Sequence, residues 1–133
     1  MTLGPPDPMA RKTQADLIVE RAAEQLRRLL HQAVESLQPF PPFPGAFFTN
    51  AIEAEPDAAA GAERGCVVVC EDGELYELQI GVDFDGAALS GFEDPVSLRK
   101  EELHKLDLHP RDYVVYAYNA ISAVTEKLLD ERG

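Results

Sequence analysis

Apolar residues in the first third of the chain recur with the period of an α-helix. From Asp16 to about Gln38 they stand three or four positions apart, which aligns them on one side of a helix. The members of this stripe are Ile18, Ala22, Leu26, Leu29, Ala33, Val34 and Leu37. The segment from Thr13 to Asp16 has the form of a capping box, so a long helix is predicted to begin there. Residues 1–12 are predicted to be a flexible lead-in, and residues 13–133 to form one domain.

A proline-rich segment, from Pro39 to Gly45, ends this helix, because prolines remove amide donors and fix φ. Two interpretations of it stay open. The P-x-x-P spacing is that of a polyproline ligand for an aromatic groove. Alternatively, Phe40 and Phe43 cover the core while the prolines turn the chain.

Three strands are predicted next. The alternation in 47–55 places Phe48 and Ile52 on one face. The β-branched run 66–70 and the segment 75–84 flank Asp72-Gly73, a strong hairpin signal.

A two-residue turn at Asp72-Gly73 would fix the register of this hairpin. It would pair Val69 with Tyr76 and Val67 with Leu78, so these four side chains would share the core face. Ile80, Val82 and Phe84 would continue that face along the return strand.

The remaining pattern predicts two helices. A short one begins at Asp94 or Ser97 and runs to about Leu106, and a long one runs from Pro110 to about Asp130. The predicted fold is therefore α+β: a three-stranded antiparallel meander packed on one face by long N-terminal and C-terminal helices, with a short extra helix before the last.

Charge narrows the range of partners. The chain has 24 acidic and 12 basic residues and a net charge of −12, which would repel nucleic acid and anionic membranes. The sequence shows no leader-like segment and no apolar run of about 20 residues, so we expect a cytoplasmic protein without a membrane partner.

The two cysteines offer no obvious chemistry. Cys66 and Cys70 are four apart in a predicted strand, hence about 13 Å from each other, too far for a disulfide. We expect two free thiols.

One constellation resembles a cation or phosphate site. Asp83 and Asp85 end the third predicted strand ahead of a glycine, where a metal or phosphoryl group is often held. With Glu93 or Asp94 and His104 or His109 they would form the site of a small metal- or phosphate-dependent enzyme. A solvated strand end is the alternative. The nucleophile, phosphate-loop and dinucleotide motifs do not occur, so we predict no catalytic residue and no cofactor.

The last predicted helix carries more apolar surface than one core needs. Its core stripe is Val114, Ala117, Ile121, Val124 and Leu128, and a second stripe comprises Tyr113, Tyr116, Ala120 and Ala123. Tyrosines are frequent at interfaces, so we predict a protein interface at Tyr113, Tyr116 and Ala120. The leading hypothesis is a noncatalytic interaction module, either a homodimer or bound to another protein; the enzyme is the second.

Overall fold

The computed structural model describes residues 7–55, 65–82 and 99–132. Within them the chain forms two long helices and four strands: α1 Pro8–Ser36, β1 Ala51–Glu53, β2 Cys66–Cys70, β3 Leu75–Val82, β4 Arg99–Lys105 and α2 Pro110–Arg132. The strands form one antiparallel sheet in the order β1-β2-β3-β4. The predicted α+β class is confirmed, with one strand more than the three predicted.

The first helix begins earlier than the capping box indicates. Asp7 is the N-cap, and its side chain accepts a hydrogen bond from the Met9 N–H at 3.1 Å, while Pro8 occupies the first turn. Proline is favoured there because its missing N–H would have no helical partner. Residues 8–12 therefore belong to α1, and the Thr13 hydroxyl donates to the Met9 carbonyl inside the helix. The division into a lead-in and one domain stays a prediction.

The hairpin between β2 and β3 has a three-residue loop, Glu71 to Gly73. Cys70 N–H donates to the Glu74 carbonyl at 3.1 Å, and Gly73 has a φ of 79°, the left-handed conformation that glycine adopts freely. Val69 consequently pairs with Leu75, and Val67 with Glu77. The predicted register is wrong by one residue.

This register gives the sheet two apolar faces. The helix-facing side carries Ile52, Ala54, Val67, Val69 and Leu75. The opposite side carries Ala51, Cys66, Val68, Cys70, Leu78 and Ile80, with Phe43 packed on it and Tyr76 at its margin. The predicted grouping of Tyr76 and Leu78 with Val67 and Val69 is therefore wrong, since the two pairs lie on opposite faces. Every residue of β2 is buried, as expected of a central strand covered on both sides.

Two further elements differ from the prediction. Residues 99–105 form β4 instead of a short helix, and all seven pair with β3 from Tyr76 to Val82. Pairing with a neighbouring strand overrides the weak helical preference of this charged segment. The first strand covers only Ala51–Glu53, and Phe48, predicted to be on its core face, is exposed.

The last helix matches its prediction and lies parallel to α1. Pro110 starts it and Asp112 occupies its first turn. Near this start, the Arg27 guanidinium of α1 lies 4.6 Å from the centre of the Tyr113 ring. Just past its middle, Ala123 lines the same groove as the segment 41–44, which follows α1. Neither α1 nor α2, the two helices of the described residues, is long and apolar enough to cross a membrane.

Candidate functional site

The predicted interface residues lie mostly inside the chain. Tyr113 is 6% exposed and Ala120 is 0% exposed, both in the core between the helices and the sheet, and Tyr116 is half-buried. Burial raises the pKa of the Tyr113 hydroxyl, and the nearby Arg27 guanidinium opposes this shift only in part. Tyr113 and Ala120 thus pack within the chain, and the interface at Tyr113, Tyr116 and Ala120 stays a prediction. Exposed apolar surface lies elsewhere on the helices.

Large apolar side chains remain exposed on one flank of each helix. On α1, Ile18 is 65% and Leu29 52% exposed, and their separation of 11 positions makes about three turns, so they share a side. On α2, Tyr118 and Leu129 have the same spacing and are 64% and 62% exposed. Each helix therefore presents a second apolar stripe outside the core.

The stripe on α1 points away from the sheet. Arg27 and His31 stand two residues before and after Leu29, about 200° around the helix, so they lie on its opposite side. Both reach Glu74 at the hairpin: Arg27 Nη1 and His31 Nε2 each lie 3.2 Å from a Glu74 carboxylate oxygen. Leu29 consequently faces away from the hairpin.

The stripe on α2 also points away from the sheet. Lys127 stands two residues before Leu129, hence on the opposite side of α2, and it lines a groove beside β1. The two stripes therefore belong to the surface of the helical layer that is turned away from the strands. We call this surface the outer face. It consists of the exposed Ile18 and Leu29 of α1 and Tyr118 and Leu129 of α2, with the half-buried Ala22, Ala33, Val114 and Ile121 between them. Of these, Ala33, Val114 and Ile121 also pack against the core.

Charge is distributed unevenly around the outer face. None of its eight residues is ionised, although the chain has a net charge of −12. The charged residues that border it include Arg11, Arg21, Arg28 and Arg111, and one acid, Glu126, stands one turn before Leu129. The acidic side chains of α1, including Glu20 and Glu24, lie on its other flank, next to Leu17. The outer face is thus an acid-free area on an acidic protein.

A second surface feature lies at the edge of the sheet. A groove of about 510 Å³ runs beside β1, between the segment 41–44 and the C-terminal half of α2. We call it the edge groove; its walls include Phe43, Pro44, Ile52, Glu53, Ala123 and Lys127. One turn before Ala123, the side-chain amide nitrogen of Asn119 is buried and has no hydrogen-bond partner among the described residues.

The proline-rich segment forms one wall of this groove. Phe40 and Phe43 are buried, which confirms the interpretation that these two side chains cover the core. The polyproline-ligand interpretation stays a prediction.

The residues proposed for metal or phosphate chemistry are not brought together in the described ranges. Asp83, Asp85, Glu93 and Asp94 lie outside the described residues. His104 is exposed on β4, with Nε2 3.4 Å from Glu102, and His109 Nδ1 accepts a hydrogen bond from the Arg111 N–H at the start of α2. In residues 7–55, 65–82 and 99–132, no three ligand-type side chains are placed to hold a metal ion. The enzyme hypothesis stays a prediction.

The two cysteines are free and buried on the sheet face opposite the helices. Burial, reinforced by nearby carboxylates, raises the pKa of Cys66 to about 11 and that of Cys70 to about 12. Both thiols are therefore protonated at neutral pH, which makes them poor nucleophiles.

The chain matches no protein-family model, no curated protein and no solved structure with which it was compared. The geometry of the described residues alone therefore guides the functional interpretation.

Sequence reasoning missed both surfaces for identifiable reasons. Ile18 and Leu29 were assigned to the core stripe of α1, although each stands more than 80° from its centre, which Leu30 and Val34 define. The edge groove combines residues 41–53 with residues 123–127, and no local pattern links segments so far apart.

Proposed function

We propose that this chain is a small acidic noncatalytic interaction module that forms a homodimer through the outer face of its two helices. The acid-free apolar area on a chain of net charge −12 carries this proposal. We place the module in the cytoplasm, where free thiols such as Cys66 and Cys70 are stable.

The composition of the outer face is that of an interface centre. Interface centres are depleted in charge and enriched in tyrosine and arginine, and the outer face combines Tyr118 with a border of arginines. Leu29 and Leu129 would each lose exposed apolar area on contact, which is the main favourable contribution to association.

Electrostatics favours this face over the rest of the surface for self-association. Two copies that each carry −12 repel one another, and contact through an acidic flank would bring carboxylates together. Contact through the outer face keeps Glu20 and Glu24 of the two copies apart. We therefore expect salt to strengthen the dimer, because it screens the remaining repulsion.

The size of the face sets the expected affinity. The stripe from Ile18 to Ala33 is about 22 Å long at 1.5 Å per residue, and two helices packed about 9 Å apart give a face roughly 20 Å wide. Such an area, about 440 Å² per copy, is below that of stable interfaces and typical of transient ones, so we expect a dissociation constant of about micromolar or weaker.

Sedimentation velocity between about 1 and 200 μM tests the proposal at concentrations around that value. The wild type is expected to shift from monomer to dimer. Ile18→Glu and Tyr118→Glu each place a charge within the face and are expected to keep the chain monomeric. Leu17→Glu is the matched control: it is the adjacent residue, also exposed, but it lies on the acidic flank of α1.

A wild-type monomer at every concentration would refute the proposal. So would a dimer that Ile18→Glu and Leu17→Glu weaken equally, since association would then not depend on the outer face.

A further inference from the structure

We propose that the edge groove binds an extended peptide segment with a basic side chain, which adds to the sheet as a further strand beside β1. The edge groove lies on the flank of α2 opposite Tyr118 and Leu129, so this inference is independent of the outer face.

The main chain of β1 is paired on its outer side only in part. Ala51 N–H donates to the Pro41 carbonyl at 3.1 Å, and Phe43 N–H donates to the Thr49 carbonyl at 3.0 Å, so residues 41–43 cover the start of the strand. This pairing ends at Ala51. Glu53, two positions further, is the next residue whose main-chain N–H and C=O point outward.

Among the residues that the structure describes, the N–H and C=O of Glu53 have no main-chain partner at this edge. Ala54 N–H donates to the Val67 carbonyl at 2.8 Å, so the main-chain N–H of Ala54 points toward β2. Because main-chain groups of successive strand residues point to opposite sides, the N–H and C=O of Glu53 point outward. No segment within residues 7–55, 65–82 and 99–132 pairs with them. An extended peptide would supply both missing partners, as in other cases of strand addition.

The edge groove lies where the added strand would run. Its volume of about 510 Å³ is in the range of ligand pockets, and its walls at Phe43, Ile52 and Ala123 are apolar. Successive side chains of a strand point to opposite sides. One apolar side chain of the peptide would therefore contact Ala123 of α2, and a neighbouring side chain would lie on the Phe43 side.

The charges in the edge groove favour a peptide with a basic side chain. Glu53 is half-buried and has no ion-pair partner among the described residues, and the groove also has Glu126 against a single cation, Lys127. Burial raises the pKa of Glu53, and Glu55 adds to the shift, so the ionised carboxylate lacks stabilisation in the free chain. A lysine or arginine of the peptide would provide it, and the net charge of −12 would attract a basic segment.

Fluorescence anisotropy with two designed probes tests charge preference. The basic probe is a labelled Thr-Val-Lys-Val-Lys-Val-Thr peptide, and the acidic probe has glutamate in place of lysine. We expect the wild type to bind the basic probe at least about tenfold more tightly. Glu53→Gln should remove most of this preference. Glu77→Gln, the same change on β3, is the matched control and should leave it unchanged.

Two further measurements test strand addition. The amide hydrogen of Glu53 should exchange more slowly once the basic probe is bound, because it gains an acceptor. Methylation of the probe's backbone nitrogens should abolish binding. Both measurements use the wild-type fold, so they do not depend on the stability of a variant.

Several results would overturn the inference: equal affinity for the two probes, undiminished binding of the methylated probe, or unchanged exchange at Glu53. The Ile18→Glu variant separates this inference from the dimer, because it should bind the basic probe like the wild type whether or not it associates.

Discussion

Both faces of the sheet are buried at β2, but they are covered in different ways. The helix-facing side packs against α1 and α2 through residues such as Leu30, Val34 and Ala117, which recur at helical spacing. Among the described residues, the opposite side is covered by Phe43, from the proline-rich segment, with Ala46 beside it. One face is thus covered by periodic elements and the other by an irregular loop.

A carboxylate of β4 binds the segment 47–49, which connects this loop to β1. Glu101 of β4 accepts hydrogen bonds from the Phe47 N–H at 2.8 Å, the Phe48 N–H at 3.2 Å and the Thr49 hydroxyl at 2.7 Å. These contacts join the loop before β1 to the strand at the other end of the sheet order. Residues at helical spacing therefore cover one face of the sheet. The loop that covers the other face is followed by a segment that a long-range polar contact attaches to β4, and the variants below test this difference.

The largest effect is expected in the helical layer. Leu30→Ala removes a fully buried side chain between α1 and the sheet and should lower the free energy of unfolding by about 3 kcal/mol. Leu29→Ala is the control, since the same truncation one residue away affects an exposed side chain. Chemical denaturation of the two variants measures the difference. Equal losses would contradict the assignment of Leu30 to the core and Leu29 to the surface.

A smaller effect is expected where the loop is anchored. Glu101→Ala removes the acceptor of three donors and should cost about 1 to 2 kcal/mol. The exposed Phe47 and Phe48 amides can bond to water instead, whereas the Thr49 hydroxyl is buried. Amide exchange at Phe47 and Phe48 should accelerate. Glu102→Ala removes a neighbouring carboxylate that pairs with Lys100 at the surface, and it should leave both amides unchanged. Similar exchange in the two variants would show that the loop does not depend on Glu101.

The contact of the hairpin turn with α1 can be tested with two glycines. At Gly73, φ is +79° and an added Cβ would lie 3.0 Å from the His31 ring, so Gly73→Ala should cost about 1 to 2 kcal/mol. At Gly81 an added Cβ would meet no atom within 4 Å, so Gly81→Ala should be neutral or slightly stabilising. Thermal unfolding of both variants measures this. A neutral Gly73→Ala would show that the turn is free to move away from α1.

The last effect is absent at neutral pH and concerns the thiols of the loop-covered face. The ordinary pKa of a thiol is 9.0, but burial raises that of Cys66 to about 11 and that of Cys70 to about 12. Above pH 9 the unfolded chain releases these protons while the native chain keeps them, so stability should fall as the pH rises from about 9 to 11. Denaturation at several pH values should show a shallower decline for Cys66→Ala and Cys70→Ala together. An unchanged slope would mean that the thiols are not shielded.

The elements that local sequence patterns determine were predicted correctly. The long helix α2, with Pro110 at its start, and the β2–β3 hairpin follow from patterns within a few turns or residues. The start of α1 was missed although Asp7-Pro8 is itself a cap signal, because the prolines near it indicated a loose segment.

Other features could not be predicted because they depend on distant partners. The charged run of β4 becomes a strand only through its pairing with β3. The register of the hairpin depends on the choice of a three-residue loop over a two-residue one, and both fit the same residues. The outer face could not be predicted without knowing which side of α1 contacts Glu74. The edge groove could not be predicted without knowing where α2 lies against β1.

The composition of β4 has a consequence for behaviour at high concentration. It stands last in the strand order, and six of its seven residues, all except Leu103, have ionisable side chains. A terminal strand of this kind resists recruitment of further chains into a growing fibril, since each addition would stack ionisable groups against their own copies. We therefore expect the β4 edge to resist amyloid-like aggregation, to which a hydrophobic strand at the same place would be prone.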